Sequence, residues 1–250
     1  MNLKNYFPAF LLGCMLVSPI SVHSQENFTP VTEKNRHTVQ ASSAPWNAIG
    51  RINLSGKGHC TGVLIEKNKV LTAAHCLWNK ATGKPYASRD IHFLAGYEKG
   101  QYLAHRRGAE VQFATDFDPH RKAGAEKVAG DWAVIRLDRP VEQIKPLSVL
   151  KQKRAGLKTL VKSRQNFVRA GYSRSWPHVL TTQDDCKLVA VSKKKPVLIH
   201  SCRTIGGDSG SPIMTLNNNE LQIVALHVGT LSNDASRLGI AVPGQMISIQ

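Results

Sequence analysis

The stretch "CRTIGGDSGSP", from Cys202 to Pro212, sets an aspartate and a serine among glycines. Gly207 and Gly210 flank the pair formed by Asp208 and Ser209. Glycines let the backbone turn sharply, and they leave a neighbouring hydroxyl and neighbouring N–H groups open to a substrate. Gly-Asp-Ser also forms ordinary turns, so this stretch alone does not separate a nucleophilic serine from a turn serine.

A serine hydroxyl becomes a nucleophile when a base accepts its proton, a carboxylate orients that base and N–H groups stabilise the oxyanion. The N–H groups of Gly207 and Ser209 are natural oxyanion donors. His75 ends the apolar run in "TAAHC", and Asp131 opens "GDWAVIRLD". A carboxylate that enters the core with its strand needs a strong partner, and an imidazole N–H is one. Taken singly, each residue also fits a structural histidine or a turn aspartate.

Short runs of β-forming residues follow one another from about Ser42 onward. Clear examples are "AIGRINL" (48–54), the hairpin "TGVLIEKNKVLTAA" (61–74), "DWAVIRL" (131–137) and "LQIVALHVG" (221–229). Short strands between Gly, Pro and Asn turn signals indicate an all-β barrel or sandwich, and no stretch has the periodicity of a long helix. The strand pattern breaks near residues 140–160, which predicts two barrel-sized halves.

The segments "TAAHC", "GDWAVIRL" and "GGDSGSP" occur in the order His75, Asp131, Ser209. Together with "GHCTGVLI" (58–65) they strongly resemble the active-site segments of chymotrypsin-like serine proteases, and the likeness covers most of residues 41–243. The resemblance implies an all-β fold of two antiparallel six-stranded β-barrels with the active site in the cleft between them. We expect an N-terminal barrel over residues 42–145 and a C-terminal barrel over residues 146–250.

The resemblance also implies a secreted serine endopeptidase that acts on proteins or peptides through an acyl-enzyme. His75, Asp131 and Ser209 would be the catalytic residues, with Gly207 and Ser209 forming the oxyanion hole. No cofactor and no metal would take part.

Within the family the chain looks most similar to the bacterial branch that includes glutamyl endopeptidases, because of "GGDSGSP" and "ALHVG" (225–229). In that branch a threonine and a histidine bind the acidic side chain of the substrate, and Thr204 and His227 fall at those positions. By the same resemblance Arg203 lies near the base of the specificity pocket, where its guanidinium could receive a carboxylate. The alternative is that Arg203 points to solvent. We expect a preference for Glu or Asp on the acyl side of the cut.

In many relatives a freed N-terminal amine pairs with a carboxylate at the position of Asp208. Residues 25–41 are polar and are predicted to be a propeptide or an N-terminal arm, with Val31 a candidate new N-terminus. Residues 1–24 have the basic start, short apolar run and small residues of a signal peptide, so we expect a secreted or periplasmic protein. The apolar run is too short to span a bilayer, and a lipoprotein signal at Cys14 is the alternative.

Four cysteines would remain after removal of the signal peptide: Cys60, Cys76, Cys186 and Cys202. An even number in an exported chain predicts disulfides, and pairing in chain order would close two short loops, each contributing about 3 kcal/mol in the loop-entropy model. His59 and His75 stand beside Cys60 and Cys76, which makes zinc the alternative. The spacing lacks the tight pairs that structural zinc sites use.

The chain carries a formal net charge of +16, and removing residues 1–24 takes away one lysine and no acid. Such a charge favours anionic surfaces such as cell envelopes or acidic proteins. The basic residues do not alternate with aromatic residues, so specific nucleic-acid binding is not expected. Two functions remain as alternatives to a protease: a non-catalytic cationic binding protein on the same fold, and an esterase that uses the same residues.

Overall fold

The computed structural model describes residues 35–54, 58–120, 128–233 and 236–249, and most of them lie in β-strands or the turns between strands. The predicted signal peptide, Val31 and the first part of the predicted arm lie outside the described residues. Residues 35–41, the described part of this arm, are called the N-terminal arm below. The strands, in chain order, are β1 (His37–Thr38), β2 (Ile49–Leu54), β3 (His59–Glu66), β4 (Lys69–Thr72), β5 (Trp78–Asn79), β6 (Lys84–Pro85), β7 (Ile91–Ala95), β8 (Ala104–Phe113), β9 (Ala133–Leu137), β10 (Phe167–Gly171), β11 (Thr181–Cys186), β12 (Leu188–Val191), β13 (Leu198–His200), β14 (Pro212–Asn217), β15 (Glu220–Asn233) and β16 (Ser236–Pro243).

The first half of the chain forms a closed antiparallel barrel with the strand order β2-β3-β4-β9-β8-β7. Its interior is filled by branched aliphatic and aromatic side chains that alternate along the strands, because successive side chains point to opposite faces. Ile52, Leu64, Val70, Phe93 and Ile135, which the strand register places on one face, are among these buried residues. Closure pairs every strand on both sides, so the barrel has no free edge in this ring.

The second half, together with β1 of the N-terminal arm, forms an eight-stranded antiparallel sheet with the order β1-β11-β10-β14-β15-β16-β13-β12. It curls into a half-barrel, so the predicted all-β chymotrypsin-like fold is confirmed. The sheet has eight strands where the sequence analysis expected six. One reason is the N-terminal arm, because His37 and Thr38 pair with Thr182 and Thr181 of β11.

A helix that the sequence analysis did not anticipate, α1 (Arg154–Lys162), connects the two halves. Leu157 is buried under the second sheet, and Leu160 and Val161 pack beside it at helical spacing. The many lysines around these three residues obscured the short apolar stripe. The proposed division of the chain at residue 145 stays a prediction. Just after this residue the chain contacts both halves, because Leu147 bonds to β3 and Val149 bridges β15.

Four single turns of 3-10 helix complete the described secondary structure: Trp46–Ala48, Ala74–Leu77, Ser88–Asp90 and Gly244–Met246. Among the described residues, no helix combines the length and the apolar character that crossing a membrane requires.

Candidate active site

His75 lies in the 3-10 turn Ala74–Leu77, which directly follows β4 of the barrel. Ala74, Cys76 and Leu77 are buried and anchor this turn, whereas the imidazole of His75 is 35% exposed. A disulfide joins Cys76 to Cys60 on β3. The turn is therefore fixed on both sides of the histidine while its ring faces outward.

Asp131 lies just before β9 and is 4% exposed. Its Oδ1 accepts a hydrogen bond from the backbone N–H of His75 at 2.9 Å, and its Oδ2 lies 2.8 Å from Nδ1 of the same residue. Because a carboxylate only accepts, Nδ1 of His75 carries a proton in this contact. In the neutral imidazole the other ring nitrogen, Nε2, holds a lone pair, and this atom lies 3.0 Å from the Oγ of Ser209.

The loop that presents Ser209 requires glycine at two positions. Gly207 has φ +94° and Gly210 has φ +84°, in the region that side chains rarely adopt. A Cβ on Gly210 would also lie 2.0 Å from the carbonyl oxygen of Thr61. Thr61 of β3 in turn bonds this loop, since its N–H donates to the Ser209 carbonyl at 2.9 Å and its hydroxyl to the Gly207 carbonyl at 3.1 Å.

The peptide between Gly206 and Gly207 has a defined orientation. The carbonyl oxygen of Gly206 accepts a hydrogen bond from the N–H of Arg174 at 2.6 Å. In a planar trans peptide the C=O and N–H groups point in opposite directions, so the Gly207 N–H points away from Arg174. Within the described residues, the N–H groups of Gly207 and Ser209 have no protein acceptor. Two donors therefore remain available beside the serine hydroxyl.

These groups open onto a cleft of about 660 Å³. His75, Gly207 and Ser209 line it together with the basic side chains of Lys80 and Arg174. Its volume lies within the range of about 300–1,000 Å³ that is usual for ligand-binding pockets.

The two pocket residues that the sequence analysis named lie close to the serine loop. His227 is 2% exposed, and its backbone bonds both Gly210 and Ser211. Thr204 is 5% exposed, and its hydroxyl lies 3.0 Å from that of Thr230. His227 therefore lies on β15 beside the loop that carries Ser209, whereas Thr204 lies in that loop and contacts the same strand.

Two histidines form a buried pair in this sheet, with Nε2 of His200 3.1 Å from Nδ1 of His227. Burial, followed by the charge of Arg169, lowers the pKa of His227 to about 3, and burial lowers the pKa of His200 well below its ordinary value. Both rings are thus neutral near pH 7. Nδ1 of His200 is buried and has no hydrogen-bond partner in the described part of the chain, so the less costly arrangement leaves it unprotonated. His200 then donates through Nε2, and His227 keeps its own proton on its Nε2.

Arg203 is exposed, as in the solvent-facing alternative. Its backbone is fixed, because its N–H donates to the side chain of Gln183 and its carbonyl accepts from Arg36. That its guanidinium receives a substrate carboxylate stays a prediction. The second disulfide joins the neighbouring Cys202 to Cys186, so all four cysteines considered above are paired with each other rather than with a metal.

Three buried residues near the site were missed from the sequence: Arg36, Arg169 and His200. Arg169 and His200 had a local signal, since each interrupts an apolar strand in "FVRAG" or "VLIH". A charged or polar side chain at a strand position that faces the core requires a partner. Arg36 had no such signal, because it lies in a polar segment.

The chain resembles known proteins in sequence and in fold. The trypsin family model matches residues 34–248. Mast cell protease 3 from Ovis aries is 28% identical over 115 residues, which span 46% of this chain and 41% of that protein. A solved structure of a Glu endopeptidase in complex with MPD superposes with a TM-score of 0.67 at 23% identity, covering 86% of this chain and 94% of that one.

Proposed function

The chain belongs to the trypsin family of serine proteases, and from this premise we propose that it is a secreted endopeptidase with a preference for acidic residues on the acyl side of the cut. The observation that carries the proposal is the hydrogen-bonded series from Asp131 through His75 to Ser209, beside two N–H groups that have no acceptor among the described residues. A binding protein without catalysis has no need of this arrangement.

In the proposed mechanism Nε2 of His75 accepts the proton of Ser209 while Oγ attacks the carbonyl carbon of the peptide bond. Asp131 holds the imidazole in the required tautomer and stabilises the imidazolium that forms. The N–H groups of Gly207 and Ser209 donate to the oxyanion. His75 then returns the proton to the leaving amine, and a water molecule repeats the sequence on the acyl-enzyme.

The acidic preference is supported by the chemistry around Thr204 and His227. In the tautomer derived above, Nε2 of His227 carries a proton, so the ring can donate a hydrogen bond to a carboxylate without being charged. Arg169 and Arg36 are among the causes of the lowered pKa of His227, and the same positive potential favours an anion nearby. The structural relative is itself described as a Glu endopeptidase.

Secretion is supported by two observations. Residues 1–24 have the composition of a signal peptide, and the described chain contains two disulfides. Disulfides persist in oxidising compartments and are rare in the cytosol. A periplasmic or extracellular location fits both observations.

A peptide library varied at the residue before the cut tests the activity and the preference together. We expect cleavage after Glu, and loss of nearly all turnover in Ser209→Ala, since the nucleophile is removed while the fold is kept. Inactivity of the correctly processed wild type would instead favour the cationic binding protein. Cleavage mainly after Lys or large apolar residues would contradict the acidic preference alone.

The pocket residues are tested by a matched pair of substrates that differ only in Glu or Gln before the cut. Thr204→Val keeps the shape of the side chain and removes its hydroxyl. We expect it to lower kcat/KM for the Glu substrate by about 10-fold or more and to affect the Gln substrate less, because a lost hydrogen bond to a charged group costs more. An equal loss for both substrates would remove Thr204 from the acid-binding site.

A further inference from the structure

Asp208, the residue before Ser209, is completely buried between two guanidinium groups. Arg36 contacts both carboxylate oxygens, with Nη2 2.8 Å from Oδ2 and Nη1 3.2 Å from Oδ1. Arg169 contacts Oδ1 through Nη1 at 2.5 Å, and the N–H of Ile205 donates to Oδ2 at 3.0 Å. The side chains of Arg36 and Arg169 are 2% and 0% exposed. The two guanidinium groups and the Ile205 N–H thus form an anion-binding site, and the anion that occupies it is the carboxylate of Asp208.

The carboxylate of Asp208 is ionised in this site. Burial alone would raise its pKa, but Arg169 and then Arg36 outweigh burial, and the pKa lies below its ordinary value. A buried carboxylate with this many donors depends on them, because removing one leaves desolvated charge behind. The position of Asp208 is therefore coupled to the positions of both arginines.

Arg36 does more than neutralise a charge. Its Nη2 also donates to the backbone carbonyl of Arg203 at 3.0 Å, and its Nη1 to the hydroxyl of Thr181 at 3.2 Å. One planar guanidinium thus bridges the first residue of the loop 203–208, the last residue of that loop and the neighbouring strand β11. Such a fork of donors fixes geometry in a way that a single ammonium cannot.

The loop that Arg36 bridges contains Gly207 and leads directly into Ser209, whose N–H groups we propose as the oxyanion donors. Arg36 itself is carried by the N-terminal arm, which is fastened next to it by pairing of β1 with β11 and by the bond from the Val39 N–H to the Leu180 carbonyl at 3.2 Å. The N-terminal arm thus places the guanidinium of Arg36 against the loop 203–208, which is far from it in sequence.

We propose that Arg36 is a positioning residue, whose guanidinium holds Asp208 and the loop 203–208 in the arrangement that directs the Gly207 and Ser209 N–H groups into the cleft. This role rests on the proposed function. It replaces the expectation that a freed N-terminal amine binds Asp208. It follows that activity requires Arg36 to stay attached and requires no free amino group at this site, so any processing of the exported chain cuts before Arg36.

The first test compares Arg36→Met with the wild type. Methionine keeps an apolar stem of similar length and removes every donor. We expect kcat to fall by about 100-fold with little change in KM, because loss of an ordered oxyanion donor acts on the transition state. His37→Gln is the matched control, since His37 is the next residue on the same arm and is exposed, and it should retain wild-type kcat.

Two further variants separate positioning from simple loss of folding. Arg36→Lys keeps the charge without the fork and should recover part of kcat, whereas Arg36→Ala should be partly restored by guanidinium ion at tens of millimolar, with an equal concentration of tetramethylammonium as the control. Equal kcat in wild type, Arg36→Met and Arg36→Ala would overturn the proposal.

A readout without turnover keeps this proposal separate from the proposed function. Hydrogen exchange of the amides in residues 203–210 should be faster in Arg36→Met than in wild type, while the amides of β9 should be unchanged. Unchanged exchange in 203–210 overturns the role of Arg36 even if the protein is inactive towards every peptide. Conversely, an inactive wild type with faster exchange in the variant overturns only the protease.

The requirement for processing is tested with two chains. In one chain, unrelated residues that cannot be cleaved off are fused before Asn35, so that processing releases no new amine near Asp208. The other chain begins at His37. We expect the extended chain to be active and the chain that lacks Arg36 to show the same loss as Arg36→Met. An inactive extended chain beside an active wild type would show that a free amine is needed instead.

Discussion

Two buried aspartates, one in each half of the molecule, have different surroundings: Asp131 belongs to the candidate active site, and Asp208 lies beside it. Asp131, beside the barrel, faces the backbone N–H and the imidazole of His75. Asp208, in the second sheet, faces the guanidinium groups of Arg36 and Arg169. Both carboxylates are removed from water, and burial of a charged group is stable only when strong hydrogen-bond or ionic partners compensate the lost hydration.

The two aspartates differ in whether the charge of their partner can change. An imidazole can gain and lose a proton, so Asp131 suits a partner whose charge changes during a reaction. A guanidinium is always charged, so the contacts of Asp208 do not change during a reaction. The first site is suited to proton transfer, and the second to holding a loop in place.

The sharpest test of this comparison is Asp131→Asn. The amide keeps the size of the side chain but not the charge, and it does not hold His75 in the required tautomer. We expect kcat to fall by about 10⁴-fold, measured with the best substrate of the peptide library. Hydrogen exchange in residues 203–210 serves as the control and should be unchanged. A fall of less than about 10-fold would place Asp131 outside the proposed catalytic residues.

In the Asp208 site the corresponding change is Arg169→Met, which should lower the stability of the fold. Removing one partner of a buried ion pair leaves an incompletely compensated charge, so the free energy of unfolding should fall by about 3 kcal/mol. Urea unfolding measures this loss. The double variant Arg169→Met with Asp208→Asn should recover part of the stability, because the charge itself is gone. A single variant as stable as the wild type would mean that Arg36 alone suffices.

The buried histidine His227 and the buried carboxylate of Asp208 affect stability in different ranges of pH. Burial lowers the pKa of His227 to about 3, so below its ordinary pKa the unfolded chain binds a proton that the folded chain does not. The free energy of unfolding should therefore fall by about 2 kcal/mol between pH 8 and pH 5 from this residue. Asp208 has a lowered pKa, so its contribution is present above the ordinary carboxyl pKa and is lost only in stronger acid.

The measurement is urea unfolding at pH 8, 6.5 and 5 for the wild type and for His227→Gln. Glutamine does not titrate, so the variant should show a shallower dependence of stability on pH. If both proteins lost stability equally between pH 8 and pH 5, the assignment of this loss to His227 would be wrong.

An exposed ion pair should contribute less to stability than the buried contacts of Asp208. Arg136 and Glu110 pair at 3.0 Å across β9 and β8, with side chains 51% and 66% exposed. Solvent screens such pairs, so Arg136→Gln should change the free energy of unfolding by less than about 1 kcal/mol. The loss should be much smaller than that of Arg169→Met under the same conditions. Similar losses would contradict the argument that burial makes the Asp208 contacts strong.

Much of the fold could be predicted from the sequence because the strands alternate in a regular way. The hairpin over residues 61–74 is present as β3 and β4, and "LQIVALHVG" lies within β15. Strand β11 was missed because "TTQDDC" has few apolar residues, and it forms through pairing with β10 and β1. Strand β1 was missed for a similar reason, since two residues carry no periodicity of their own.

The sequence by itself determined the local features of the candidate site. Together, "TAAHC", "GDWAVIRL" and "GGDSGSP" pointed to His75, Asp131 and Ser209 as candidate catalytic residues, because their reactive groups and their order resemble the active-site segments of chymotrypsin-like proteases. The even number of cysteines in the predicted mature chain also indicated disulfides. These inferences depend on residues that are close together in the chain.

Only the tertiary structure decided which cations face Asp208. Arg36 and Arg169 lie 172 and 39 residues before it, and nothing near Asp208 in the sequence names either of them. A buried carboxylate requires a compensating charge, but local sequence does not fix where that charge comes from. The folded sheet fixes it, because pairing of β1 with β11 brings the N-terminal arm to the loop before Ser209.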